Sequence, residues 1–256
     1  MDYIESVIGI ITTNASFMNK SYLFSILCLI SSIVFGQHTA KQYKESGIKH
    51  YRKKSYNAAI EQFSFAIELD KKMADAYIYR GIAKDALDDF TGAISDFTKA
   101  HQLDTNDVFA YIERAKSFLN LKEYEAAEHD FLKVTELSPN SRDAEEAWEN
   151  LAQLKYKQKT YRTAANYFTR ILKFRPSDAE VFYSRGECKF FLEDYQGVIK
   201  DCDKAVENDN DNGKAFALRA QAKIKLNDKE GACKDFYKAK KSGYKAIAPI
   251  MDQFCK

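Results

Sequence analysis

Residues Tyr77 to Asp104 read YIYRGIAKDALDDFTGAISDFTKAHQLD. Gly81 is followed nine residues later by Phe90, then by Ala93, Phe97 and Ala100. Spacings of three and four put side chains on one stripe of a helix. The stretch therefore reads as two helices, one carrying a small residue and the other small residues beside a large ring. The same skeleton can be laid over most of the 256 residues with a step of 34.

Taking the small residue of the first helix as position 8 gives six units: 40–73, 74–107, 108–141, 145–178, 179–212 and 213–246, with three residues inserted before the fourth. Position 4 is aromatic throughout: Tyr43, Tyr77, Tyr111, Trp148, Phe182 and Phe216. Position 8 is always small, from Gly47 and Gly81 through Ala115 and Ala152 to Gly186 and Ala220. Position 24 is Phe63, Phe97, Phe131, Phe168, Cys202 and Phe236, with a small or β-branched residue at positions 20 and 27. Small residues let two antiparallel helices approach, and the large ring fills the groove beside them. Each hairpin buries only part of its apolar surface, so neighbours must stack to bury the rest.

Composition agrees with this reading. The chain is 45% apolar and 30% charged, with few prolines (3) and glycines (10), which favours helices over a turn-rich β fold. Charges of both signs are interspersed and sum to +2, so electrostatics imply neither a nucleic-acid nor a membrane-surface partner.

These offsets resemble the tetratricopeptide repeat (TPR), a helix-turn-helix unit of 34 residues with W-x2-L-G-x2-Y, A-x3-F and a late proline. Pro139 and Pro176 stand at position 32. The resemblance implies an all-α, right-handed superhelical solenoid of six repeats over residues 37–246, closed by a capping helix within 247–256. The ending GACKDFYKAKKSGYKAIAPIMDQFC is similar to the terminal cap of exported repeat proteins of bacteria such as the Bacteroidetes.

Two features are peculiar to these units. Position 7, Leu in the usual family pattern, is Arg80, Arg114, Arg185 and Arg219 in four of them, and those four also carry Asp96, Asp130, Asp201 and Asp235 at position 23. In a hairpin turning near position 15 these residues lie about level, so a repeated Arg–Asp pair, within or between units, is expected rather than an anion-binding ladder. Downstream of the apolar leader lie four cysteines, for which three connectivities are open. Cys188 and Cys202 read as core residues, and with the cap resemblance the favoured pair is Cys233 with Cys255.

No H-E-x-x-H, G-x-S-x-G or glycine-rich phosphate loop occurs, and the four histidines are scattered. No catalytic residue, metal site or cofactor is expected. The resemblance instead implies a concave face lined by positions 2, 5, 6, 9, 12 and 13 of the first helices. Here those positions supply Tyr51, Arg52, Ile78, Tyr79, Ile82, Ile112, Leu119, Tyr156, Tyr183, Phe190 and Phe191. Aromatic and aliphatic side chains in a curved groove suit an extended peptide, because they anchor it with little rotamer entropy to lose. The family's carboxylate clamp is matched by Lys44, but Ile48 and Tyr79 stand where its asparagines belong. The expectation is a non-catalytic scaffold binding a protein or peptide, with self-association left open. The alternatives are an assembly component of a cell-envelope complex and an accessory glycan-binding or uptake protein.

The N-terminus adds an address. From Met18 the chain runs MNKSYLFSILCLISSIVFGQ, with Lys20, an apolar run at 22–35, then Gly36. Cation, short apolar run and small residue are the order of a secretory signal, and the run is short for a membrane span of about 20 residues. Residues 1–36 read as an extension plus signal peptide, with Met18 an alternative start, and the membrane is met through this segment alone. An anchor formed by 22–35 is the competing reading. The protein recovered from its own cells is expected to be periplasmic or secreted and to begin at Gln37; mass spectrometry finding Met1 or Met18 retained would contradict cleavage.

Overall fold

A computed structural model describes residues 39–255, so the expected leader at 1–36 lies outside the described residues. Every regular element among them is a helix. In chain order these are α1 (39–52), α2 (Tyr56–Leu69), α3 (Ala74–Asp85), α4 (Phe90–Leu103), α5 (Val108–Asn120), α6 (Tyr124–Leu137) and α7 (Arg142–Lys157). They continue with α8 (Tyr161–Phe174), α9 (Ala179–Phe191), α10 (Tyr195–Asn208), α11 (Gly213–Lys225), α12 (Lys229–Lys241), a 3-10 turn at Lys245–Ile247 and α13 (Ala248–Phe254). None of the described helices is long and apolar enough to cross a membrane. The described residues divide into two compact units, 39–110 and 111–255.

In the first unit α2 packs on α3 and α3 on α4, as hairpins stacked on hairpins. The small-residue rule has a direct geometric cause there. A methyl group built on Gly47 or Gly81 would stand 2.5 Å from the Phe63 ring and 2.7 Å from the Phe97 ring. Both rings are fully buried, with Ala59 and Ala93 beside them. Ile78 joins this core, packed with Ala66, Ile67 and Tyr77.

The second unit repeats the pattern from α7 to α12, each helix packing on the next. Cys202 takes the place of the ring at position 24, and the space over Gly186 opens accordingly: its nearest neighbours are 3.5 to 3.7 Å away. Cys188 and Cys202 are buried free thiols, and burial pushes the Cys188 thiol up to about 12, so neither is a nucleophile at neutral pH. After α12, Gly243 at φ +78° turns the chain, and Ile247 and Met251 pack against Phe216 and Phe236. Cys233 and Cys255 are joined by a disulfide, S–S 2.02 Å, which ties α13 to the start of α12.

The internal turn of every repeat is built in one way. Position 15 is left-handed in all six: Lys54, Asp88, Lys122, Lys159, Glu193 and Asn227, with φ between 58° and 64°. The next amide then donates back across the helix end to the carbonyl of position 11, as in Ser55 to His50 (3.0 Å) and Asp228 to Lys223 (2.9 Å). This satisfies carbonyls that the helix end would otherwise leave bare. Where position 16 is aspartate, its side chain also caps the second helix: Asp89, Asp194 and Asp228 accept from the amides of Gly92, Gly197 and Gly231.

The Arg and Asp of positions 7 and 23 meet within their own repeats. Arg185 donates from Nε and Nη2 to the two oxygens of Asp201 at 2.9 and 2.6 Å, and Arg219 grips Asp235 at 2.8 and 2.6 Å. Arg80 with Asp96 and Arg114 with Asp130 make the same fork. The third edge of the guanidinium reaches the preceding repeat: Arg80 Nη1 donates to Ser64, Arg185 to Thr169 and Arg219 to Asp203. Each guanidinium lies 5.3 to 5.6 Å from the ring at position 4 of its own helix. Burial alone would raise the Asp235 carboxyl, yet hydrogen bonds and charge from Arg219 and Lys223 hold it below its usual value.

The fourth repeat solves the same junction without charge, with Leu151 at position 7 and Tyr167 at position 23. Leu151 is fully buried, and Tyr167 packs on Trp148 at 5.2 Å. The residue at position 25 of the preceding repeat follows suit: Leu132 precedes Leu151, whereas Ser64, Thr98, Thr169 and Asp203 precede the arginines.

Asp201→Ala leaves Arg185 with its counter-charge gone and is expected to cost about 3 kcal/mol in denaturant unfolding. Arg185→Leu with Asp201→Tyr, the pair of repeat four, is expected to cost less than that single change; a larger cost would contradict the apolar equivalence. Cys233→Ser with Cys255→Ser is expected to lower stability by about 3 kcal/mol, the loop entropy of a closure of this length. Thermal melts with and without reductant check it, and a wild-type midpoint indifferent to reductant would contradict it.

Candidate functional site

The expected groove residues divide by repeat position. Position 5 lies at the seam between consecutive repeats, where a short aliphatic side chain is covered. Ile78 is 5% exposed and Ile112 2%, so both are core residues and unavailable to a ligand, contrary to the sequence expectation. In the first unit Tyr79 stacks on Phe63 at 5.8 Å, Ile82 packs partly buried against the core, Tyr51 tilts against Tyr56, and Arg52 is exposed. Leu119 is half-buried near the end of α5.

The remaining four, Tyr156, Tyr183, Phe190 and Phe191, fall together on the first helices of repeats four and five, α7 and α9. Phe191 is 52% exposed and stacks on Tyr161 at 4.3 Å, nearly parallel. Tyr156 meets both rings edge-on, and Phe190 stands between Phe191 and Tyr195. Tyr161 and Tyr195 open the second helices at position 17. Position 17 is aromatic in five of the six units, from Tyr56 to Tyr195, but the place of these rings beside the groove is not visible in that recurrence.

Three hollows lie along this face. One of about 500 Å³ is lined by Lys116, Arg142, Glu145, Glu146, Glu149, Asn150, Gln153 and Arg175. Its charges neutralise one another: Arg175 pairs with Glu145 (2.7 Å), Glu149 and Asp178, and Lys116 with Glu146 (2.7 Å) and Glu113. A second, of about 160 Å³, lies between Tyr156, Phe168, Ser184 and Glu187. The third, of about 300 Å³, is bounded by Tyr183, Glu187, Phe190, Phe191, Lys214, Leu218, Gln221 and Tyr244.

Glu187 borders the second and third hollows. It accepts a hydrogen bond of 2.6 Å from the Tyr183 hydroxyl. Burial raises its carboxyl above the usual value, and the Tyr183 bond offsets part of that rise. The Tyr183 phenol is pushed up as well, by burial and then by its bond to Glu187, and so stays a neutral donor. Position 9 marked Glu187 as a lining position, but nothing in the sequence distinguished it from other surface acids. Tyr244 stands at position 32 of the last repeat, in the turn after α12, which is not one of the expected lining positions. Among the described residues no group of three or more His, Cys, Asp and Glu is placed to hold a metal ion.

Paired helices and small-residue contacts at a 34-residue period define a helical-hairpin repeat protein. A tetratricopeptide repeat family model matches residues 112–179 and 149–215. The Arabidopsis OM64 TPR domain is 30% identical over 98% of its length and 48% of this chain, with a TM-score of 0.45. The chain belongs to the tetratricopeptide repeat family. YrrB, a TPR protein with an unusual peptide-binding site, shares the fold at a TM-score of 0.62 and 19% identity, over 75% of this chain and 97% of its own. A tetratricopeptide repeat protein from Parabacteroides merdae is also similar, with a TM-score of 0.51 and 20% identity over 85% of this chain and 84% of that one. No match is found among the curated proteins.

Proposed function

We propose that this chain is a non-catalytic interaction scaffold that holds an extended protein or peptide segment along the first-helix, concave face of repeats four to six. The observation that carries the reading is the ring cluster around Phe191, which leaves half of that side chain open to water beside hollows of about 160 and 300 Å³. A rigid exposed ring beside a preformed hollow is what an interface anchor needs, since little entropy is lost on docking. YrrB carries a peptide-binding site on a fold of this kind. Binding here is static complementarity: the helices fix the rings before the ligand arrives.

Export is part of the proposal. The leader pattern of residues 18–36 motivates it, and the Cys233–Cys255 bond supports an oxidising compartment.

Phe190→Ala with Phe191→Ala is expected to weaken capture of the protein's own partner at least about tenfold, as loss of hot-spot rings does, with little change in the helical circular dichroism signal. Capture unaffected by the double change would rule this face out. Exclusive binding on a glycan array, with no protein partner recovered, would favour a sugar ligand instead.

A further inference from the structure

The fold buries its own cations by one recipe. Each guanidinium of positions 7 receives a carboxylate and an aromatic ring, as Arg219 receives Asp235 and the Phe216 ring at 5.3 Å. A carboxylate supplies the counter-charge, and the face of a ring attracts a cation that has left water.

The hollow of about 300 Å³ contains the same ingredients, and the one cation that lines it, Lys214, is paired with Glu180 rather than with the carboxylate set among the rings. Four carboxylates stand on the lining positions of α7, α9 and α11: Glu146, Glu149, Glu180 and Glu187. Glu146 is paired with Lys116, Glu149 with Arg175 and Glu180 with Lys214. Glu187, the one set among Tyr183, Phe190 and Phe191, is bonded to a neutral phenol. Lys214 lines the same hollow, but its ammonium is directed to Glu180 (3.4 Å) and lies 5.8 Å from the Tyr183 ring centre, with its side chain 53% exposed. Its charge favours the ionised form of Glu187, but burial outweighs it and the carboxyl stays above its usual value.

We propose that this hollow is a specificity subsite for a lysine or arginine side chain of the bound peptide, with Glu187 as its counter-charge and Tyr183, Phe190 and Phe191 as the rings around its stem. The proposal rests on the peptide-binding reading and names the chemistry of the residue held there. A partly buried carboxylate such as that of Glu187 is costly when ionised alone. An arriving cation relieves that cost, whereas a neutral or acidic side chain at the same place leaves or worsens it. The volume lies at the lower end of ligand pockets, about 300 to 1,000 Å³, which suits one long side chain better than a whole small ligand.

The test uses the full chain and end-blocked nonapeptides with randomised apolar flanks and Lys, Arg, Gln or Glu fixed at the centre. Wild-type protein is expected to favour Lys and Arg over Gln by about tenfold and to retain least of the Glu set, as for a desolvated charge pair. Glu187→Gln is expected to bring Lys, Arg and Gln within about twofold of one another, with apolar-flank binding retained. Glu207→Gln, in an exposed pair with Lys204, should leave the preference as in wild type. Lys214→Glu, on the exposed rim, should raise the preference for Lys and Arg, and it gives a second reading if the change at Glu187 disturbs folding. Equal binding of all four sets by wild type, or a Lys and Arg preference that survives Glu187→Gln, overturns the subsite while the peptide groove stands. Absence of binding by any set overturns both.

Discussion

The stack depends on how each repeat is fastened to the one before it, and in three of the described junctions that fastening is a guanidinium. Arg80, Arg185 and Arg219 each sit sixteen residues from an aspartate ahead and sixteen from an oxygen acceptor behind. One side chain thus closes its own hairpin and docks it on its predecessor. An arginine can do this because its five donors form a rigid fork with two usable edges. Lysine has no such planarity and appears instead as an auxiliary: Lys84, Lys189 and Lys223 add a second cation to the same aspartates. A buried ion pair contributes little net stability compared with a well-packed apolar pair. Its value here is registry: a repeat shifted along its neighbour would keep its own Arg–Asp fork but pull the third guanidinium nitrogen away from its acceptor at position 25 of the preceding repeat. Repeat four, with Leu151 and Tyr167, shows that packing alone can also fill the junction.

Much of this was legible because it repeats. A small residue at position 8 opposite a ring at position 24 is a packing rule, and Gly81 against Phe97 obeys it. Opposite charges appearing together in the same four units pointed to the Arg–Asp fork. What stayed hidden lacked either a repeat or a residue signature. The left-handed residue at position 15 is lysine in three repeats and glycine in none, so the usual glycine signal of a helix C-terminus is missing there. The acceptor at position 25 changes from Ser to Thr to Asp, and its role emerges only when the preceding repeat is seen against the arginine.

The groove shows the same limit in sharper form. Positions 2, 5, 6, 9, 12 and 13 mark which residues can face a ligand, but not which are left open once neighbours are in place. Ile78 and Ile112 share position 5 with Tyr183; the isoleucines are too short to leave the seam, and the tyrosine reaches the hollow. Phe190 and Phe191 gain their significance from Tyr161 and Tyr195 of neighbouring second helices, contacts that no single-helix pattern carries. Tyr244 belongs to the turn between α12 and the closing helix, and that helix is fastened by Cys233 and Cys255.

The central claim is that ligands meet this chain on the first-helix face of its fourth to sixth repeats. The most direct measurement replaces Phe191 with a photo-crosslinking phenylalanine analogue in the native cell, and Tyr237 in a second strain. Tyr237 is equally open, 57% exposed, but stands on the second helix of the last repeat. An adduct with a defined protein partner from position 191, absent from position 237, is the predicted result. Adducts from position 237 alone, or equal yields from both, would contradict it.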